Sequence, residues 1–344
     1  MIKISAVLFA IFFSIGGCNK QRKQSTSSGI VRNAHSMAYN KKEGKIYLFG
    51  GANEMEVLSE LCVFENNNWK VLNGKNAPSP RTFACFVYDD LYERLILFGG
   101  SKVLFGDGPD STNLLNDTWE YKNNKWTLIR TTKSPMPRAE ASMVYNEKTK
   151  TILLFGGYTI TGQKYISLND TWEFKDNEWN LLSTSGPSAR HGASIVFHKQ
   201  LNEAILFGGR SIDEQFGPNS GETWAWEGTL WTKLDISQPA GVFNSTMNYV
   251  DSKNEIVRYG GWNGKERIGE TWIFRNNSWY KLDVTNYPRP RNHASSIYDL
   301  QNDRIILFGG HDSEYVFGDT WEFKDNEWNR LSFNKAKRRV ANGH

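Results

Sequence analysis

Five arginines, Arg32, Arg81, Arg138, Arg190 and Arg291, and six carboxylates, Glu60, Asp117, Asp170, Glu222, Glu270 and Asp319, recur along this chain at fixed distances from glycine pairs. Guanidinium and carboxylate at matching stations can form charge-assisted, often bidentate hydrogen bonds that tie strands together. The same arginines, if they faced a cavity, would hold an anionic ligand. The sixth station carries Val242, so one carboxylate, Glu222 or Glu270, has no arginine of its own and becomes a candidate for ligand or acid–base chemistry. A second set stands directly after the glycine pairs: Ala52, Ser101, Tyr158, Arg210, Trp262 and His311. Trp262 and Tyr158 could stack on a ring, and Arg210 could grip a carboxylate. The plainer reading of both sets is architectural, with the charges as ties and the second set as loop roots.

The spacing that generates these sets is that of a repeat. Pairs Gly50-Gly51, Gly99-Gly100, Gly156-Gly157, Gly208-Gly209, Gly260-Gly261 and Gly309-Gly310 each close an apolar run, with the arginine or Val242 standing 19 residues before the second glycine. Nine residues after each acid comes a tryptophan: Trp69, Trp126, Trp179, Trp231, Trp279 and Trp328. Only the stretch between glycine pair and acid varies, from 9 to 17 residues. The string DTWEFKDNEWN occurs identically at 170–180 and 319–329. Six copies of a unit of about 50 residues therefore make up the chain.

Each unit reads as four short strands, A to D. A runs from the arginine to an aromatic seven residues on, B enters the glycine pair, C follows the acid, and D starts at the tryptophan. Turn residues such as NNN, DNE and NNS separate C from D. Strand B is apolar at successive positions, so both of its faces are buried, which suits a sheet sandwiched between two neighbours in a ring.

The arginine, the Gly-Gly, the aromatic strand C and the tryptophan together resemble the kelch repeat. The resemblance covers Arg32 to about Phe333 and implies an all-β, six-bladed β-propeller with four antiparallel strands per blade. Because unit 1 starts with its own A and unit 6 ends with its own D, closure without an exchanged terminal strand is expected. Blade 1 departs from the pattern with Cys62 where the other copies carry tryptophan, and blade 5 with Val242. In such a meander the B–C and D–A connections share one face, which carries the variable loops and is the expected ligand face. The opposite face offers only short polar turns. In resembling peptide-binding rings the residue after the glycine pair points into the pocket, and strand-A arginines of kelch adaptors hold acidic peptides.

Other chemistry has little support. His35 and His293 lie three and two residues past their stations and so point to opposite sides of their strands. No metal site and no cofactor are expected. The iron motif of the plant kelch specifier proteins and the ligand set of the copper-radical oxidases have no counterpart, and no phosphate loop or nucleophile elbow occurs. Cys62 and Cys85 read as a bridge or as two half-buried free thiols.

The ends differ from the repeats. Residues 1–17 read as a signal peptide, with Lys3 ahead of an apolar run from Ile4 to Ile15 that is short for a membrane span. Ile15 to Cys18 resembles the bacterial lipoprotein box, which implies lipidation at Cys18 and a membrane anchor in the bacterial cell envelope. The plainer alternative is an ordinary signal peptide with an incidental cysteine. Residues 18–29 then form a flexible polar tether, 30–333 the propeller, and 334–344 a basic disordered tail. The two ends hold eight Lys or Arg and no acid, so the middle carries 33 basic against 37 acidic residues, and the overall charge of +4 does not point to nucleic acid. The resulting expectation is a monomeric, membrane-anchored binding protein that recognises a protein, peptide or glycan. The rival is a sugar mutarotase, implied by resemblance to the sialic-acid mutarotase type, with an arginine clamp and one unpaired glutamate as its acid–base group.

Overall fold

A computed structural model describes residues 30–72, 76–104, 108–212, 219–332 and 337–338. Six four-stranded antiparallel sheets form the blades of a propeller, each in meander order. Blade 1 comprises Ser36–Asn40, Lys45–Phe49, Leu61–Glu65 and Asn68–Leu72, and blade 6 comprises Ser295–Asp299, Arg304–Phe308, Thr320–Lys324 and Glu327–Ser332. The expected fold is present, and each blade uses only its own consecutive strands. In blade 3 an extra hairpin, Tyr158–Thr161 with Lys164–Ser167, stands in the B–C connection. Strand B is buried along its length in every blade, apart from residues at its ends, as its unbroken apolar run requires.

Each tryptophan of strand D joins two blades. Its ring packs on the last aromatic of strand B in the preceding blade: Phe49 with Trp126 at 5.1 Å, Phe98 with Trp179 at 4.7 Å, Phe155 with Trp231 at 5.3 Å, and Phe308 with Trp69 at 5.1 Å across the closure. Such pairs contribute about 0.5–1.5 kcal/mol beyond area burial. The indole N–H then donates to a strand-C threonine of the preceding blade, as from Trp179 to Thr118 (2.9 Å), Trp231 to Thr171 (2.8 Å) and Trp69 to Thr320 (3.2 Å). Blade 1 carries Leu61 at this station, and the buried Trp126 Nε1 has no hydrogen-bond partner. Replacing Thr118 by valine keeps the shape but orphans Trp179. The expected loss is about 1–3 kcal/mol in urea unfolding, whereas Leu61→Val at the equivalent station removes no such bond.

A second set of latches runs along strand A, four residues past the station in every blade but the fifth, where Thr246 bonds within its own blade; in the others a side chain donates to the next blade's backbone. Ser142 donates to Ala193 O (2.7 Å), Ser194 to Ser245 O (2.7 Å), and Ser36 to Ala84 O. In blade 2 Cys85 takes the serine's part, its thiol reaching Ala141 O at 3.2 Å. Burial pushes this thiol up to about 12, with Arg138 opposing, so it stays protonated and inert. Cys62 and Cys85 are both buried and unbridged.

Face packing and backbone bonds close the ring between blades 6 and 1. Ala34 N donates to His293 O (2.9 Å), Arg32 N to Phe317 O (3.1 Å) and Gly310 N to Arg32 O (3.0 Å). One expectation needs correction: the basic tail is not structureless throughout, because Lys337–Arg338 pairs antiparallel with Tyr315–Val316 in the B–C connection of blade 6. Residues 1–29, with Cys18, lie outside the described residues.

Candidate functional site at the near mouth of the channel

Strand A does not begin at the arginine. Two residues past each station the chain turns through left-handed backbone, at Ala34, Phe83, Glu140, Gly192, Asn244 and His293, with φ between 52° and 64°. Five of these residues carry a side chain, and the left-handed region costs a non-glycine residue about 1–2 kcal/mol. Neighbours offset that cost by bonding backbone to backbone around the channel: Phe83 N to Ala34 O, Glu140 N to Phe83 O, Gly192 N to Glu140 O and Asn244 N to Gly192 O, at 2.8–3.2 Å. The result is a septum across the channel. Its backbone repeats six times while its side chains differ in every blade.

A buried polar chain runs through that septum. Glu140 Oε2 lies 2.6 Å from His191 Nδ1 and accepts from Asn244 Nδ2 at 3.2 Å. Asn244 Nδ2 is also 2.7 Å from His293 Nε2, His293 Nδ1 is 2.9 Å from His311 Nε2, and His311 Nδ1 is 2.7 Å from Asp312 O. A carbonyl oxygen can only accept, so His311 donates from Nδ1 and accepts at Nε2. A neutral His293 then donates from Nδ1 and accepts from Asn244 at Nε2; its charged form, the one that lowers Glu140, donates from both nitrogens. One tautomer assignment therefore satisfies the chain from Asp312 to Glu140. Burial by itself would push the Glu140 carboxyl up, but His191, His293 and Asn244 outweigh it and hold it below the usual range, so a fully enclosed anion sits beneath the mouth.

Above the chain lies a cavity of about 220 Å³ that opens on the B–C and D–A face. Phe83, Phe243, Trp262 and Leu104 form its apolar wall, and Arg267, Asn33 and Asn292 its polar edge, with His293 and His311 below. Arg267 lies 5.0 Å over the Trp262 ring and donates from Nε to Asn292 Oδ1 at 2.9 Å.

The six residues after the glycine pairs do share one ring, because each pairs with the residue following an arginine station, as Phe243 with Trp262 and Asn292 with His311. Only part of the set reaches the cavity. Trp262 forms a wall and His311 the floor, whereas Tyr158 is buried against Tyr165 and His191 (5.8 and 5.7 Å), its phenol raised well above the usual value by burial and by Glu140. Arg210 is half-buried and lies 4.9 Å over Phe243.

The arginines do not line the funnel. Arg32, Arg81, Arg138, Arg190 and Arg291 are all at most 2% exposed and lie within their own blades. Each donates to the carbonyl of the first glycine 18 residues on and to the blade's own acid, as Arg138 does to Gly156 O at 2.9 Å and to Asp170 at 2.6 and 2.7 Å. The expectation of a free carboxylate is corrected at both residues. Glu222 is held by Arg190 (2.8 Å) and Lys233 (2.6 Å); burial raises it, but these donors and Trp224 bring it to about 2. Glu270 accepts from Lys281 (2.7 Å) and Trp272 (3.0 Å), which with Arg258 outweigh burial and lower it. Neither is poised as a base near neutral pH.

His293 and His35 do point to different places. His35 stands at a position where other copies carry Ala84, Ala141, Ala193, Ser245 and Ala294; its ring packs on Phe308 at 5.4 Å, and neither nitrogen finds a partner. Burial, then Arg32, pushes it well below 6.5, so the folded protein keeps it neutral while the unfolded chain protonates. Stability therefore falls as pH drops below 6.5, at about 1.4 kcal/mol per unit from this residue. His35→Ala should flatten that slope in urea melts taken between pH 6.5 and 5.

The sequence reading missed Phe83, Glu140, His191, Asn244, Phe243 and Arg267. A signal existed for five of them, since they occupy the first and second residues after the stations, where the copies diverge. Arg267 lies in a connection of variable length and had none.

The comparisons agree with the repeat. A family model described as the KLHDC2/KLHL20/DRC7 Kelch-repeats domain matches residues 17–209 and again 148–344. The chain is 25% identical over 206 residues to Mei4-dependent protein 6 of Schizosaccharomyces pombe, covering 54% of this chain and 29% of that protein. It is 30% identical over 145 residues to the flagellar outer-arm dynein alpha chain of Chlamydomonas reinhardtii, covering 41% and 3%. It is 27% identical over 244 residues to Host cell factor 1 of Rattus norvegicus, covering 63% and 11%. It thus spans less than a third of the length of each of these relatives. Six blades, each with the glycine pair, the blade-joining tryptophan and the matching family model, place this chain in the kelch-repeat family.

Proposed function

We propose that this protein is a binding module whose near mouth takes a side chain or chain end of a protein or peptide partner. The observation that carries the reading is the septum, where one backbone geometry presents five different side chains and one glycine beneath a cavity walled by Phe83, Phe243 and Trp262. Strained backbone at a variable rim marks a place where side-chain choice serves recognition. Kelch-repeat propellers generally mediate protein interactions, which supports the same class of partner. Exposed Met55, Met136 and Tyr287 lie in the B–C and D–A connections and supply apolar anchors around the mouth.

Selection of binders from a random peptide library on the purified propeller tests the proposal. Trp262→Ala and Arg267→Ala should each weaken selected binders at least about thirtyfold, the effect of losing a hot-spot residue of about 2 kcal/mol. Binders that map to the blade sides, or that ignore both substitutions, overturn it. The sugar-mutarotase reading has lost the free carboxylate on which it rested. Display at the cell envelope through a lipid on Cys18 is proposed from the sequence of residues 15–18; a fatty-acid label absent from Cys18 would refute it.

A further inference from the structure

The channel's far mouth holds the larger cavity. About 290 Å³ lies between the strand-A residues of all six blades, on the face where the sequence promised only short polar turns. Met37, Met143, Val144, Ile195, Met247 and Ile297 make its wall predominantly apolar. Among its polar wall groups Asn248 Nδ2 donates to Ser296 Oγ, the Tyr249 and Tyr298 hydroxyls donate away from it to Asn254 and Asp303, and the buried Tyr145 hydroxyl has no hydrogen-bond partner.

Charge is confined to the rim. Nine residues past each station stand Lys41, Asp90, Glu147, Lys199, Asp251 and Leu300. Lys41 of blade 1 reaches across blade 2 to Glu147 of blade 3 at 2.7 Å, with Asp90 at 3.5 Å. Lys199 bonds Asp251 and lies 3.5 Å from Glu147. Both lysines are thus engaged by carboxylates, and the pair Lys41–Glu147 spans part of the opening. Blade 6 contributes Leu300, 41% exposed, so the rim has one apolar gap.

We infer that the far mouth is a binding site for a small neutral apolar molecule, entering beside Leu300 and retained beneath the Lys41–Glu147 bridge. The chemical class follows from the lining. A charged ligand would have to displace ion pairs already made, while an apolar one replaces water against methionine, valine and isoleucine. An aliphatic-lined cavity of about 150 Å³ accepts benzene or xenon, so this one accommodates benzene and molecules up to roughly twice its size. The site is independent of the near mouth, because the septum lies between them.

The chain's methionines make the test direct. Met37, Met143 and Met247 line the cavity, whereas Met55 and Met136 are exposed on the other face. Titrating methyl-labelled protein with benzene, and separately with xenon, should shift the first three methyl signals saturably and leave the last two in place. Benzoate and benzylammonium should shift them less. Val144→Phe, which narrows the cavity, should weaken the response. Glu147→Gln, which leaves the apolar wall intact, should preserve affinity and speed exchange about two- to five-fold, the effect of losing a partly exposed ion pair. Silence of the three inner methyls, equal shifts at all five, tighter binding of either charged analogue, or an unaltered response in Val144→Phe would each overturn the inference.

Discussion

Val242→Arg should destabilise the propeller by about 3–5 kcal/mol, although it restores the residue type of the other five stations, and a second substitution, Arg258→Leu, should reverse the loss. The reason is a compensation within blade 5. In five blades the station arginine bonds the carbonyl of the first glycine 18 residues on. In blade 5 that carbonyl belongs to Gly260, and Arg258 reaches it at 3.2 Å from strand B, where every other copy has leucine. Val242 and Arg258 are therefore a swap of one guanidinium between two strands. A second arginine at 242 would bring two buried cations to one acceptor. Arg258 is poorly served even alone: it is 0% exposed, its Nε and Nη2 have no partner, and burial, only partly offset by Glu270, pushes it down to about 10. Arg258→Leu by itself removes a poorly served buried cation but orphans the Gly260 carbonyl, which costs about 1–3 kcal/mol, so its net effect should be smaller than that of Val242→Arg. A double-mutant cycle in urea unfolding measures the coupling. Additive effects at 242 and 258 would show that the two side chains do not compete for one place.

Glu140→Ala should cost about 3–5 kcal/mol and at the same time disorder the near mouth. The carboxylate is enclosed and accepts from His191 and Asn244, so its removal leaves a histidine and an amide facing a hole. Glu140→Gln keeps the volume and should cost less, while it still removes the charge that His191 and Asn244 bond. The pH dependence follows from the lowered carboxyl. Its contribution is fully present above 4.5, its unfolded value, and is lost as pH falls through the folded one. In Glu140→Gln that acid-side loss should be smaller than in the parent. Imidazole proton signals of His191 and His293 offer a second readout. If both signals are identical in parent and Glu140→Gln, the chain described above does not couple them.

How much of this was legible follows from what a repeat encodes. Constant spacing reports interactions that every blade makes with the same geometry, so the six blades, the arginine ties and the closure without an exchanged strand could all be read from glycine, acid and tryptophan positions. Strand A was read as starting at the arginine because apolar pattern carries no mark of positive φ at residues such as Phe83 and Glu140, which are unusual there. The residues after the glycine pairs were read as equivalent positions, but which of them reaches the cavity depended on neighbours in other blades. Tyr158 is covered by Tyr165 of an inserted hairpin, whereas Trp262 is not.

The sequence alone determined the number of blades, the order of strands and the face that varies, since each follows from contacts inside one unit or between successive units. Tertiary structure alone decided where charge survives without solvent and which cavity is lined by what. Glu140, Asn244 and His293 come from blades 3, 5 and 6, and Lys41 meets Glu147 across blade 2. Residues 50 to 150 positions apart acquire a common environment only when the ring closes, because the channel belongs to no single repeat.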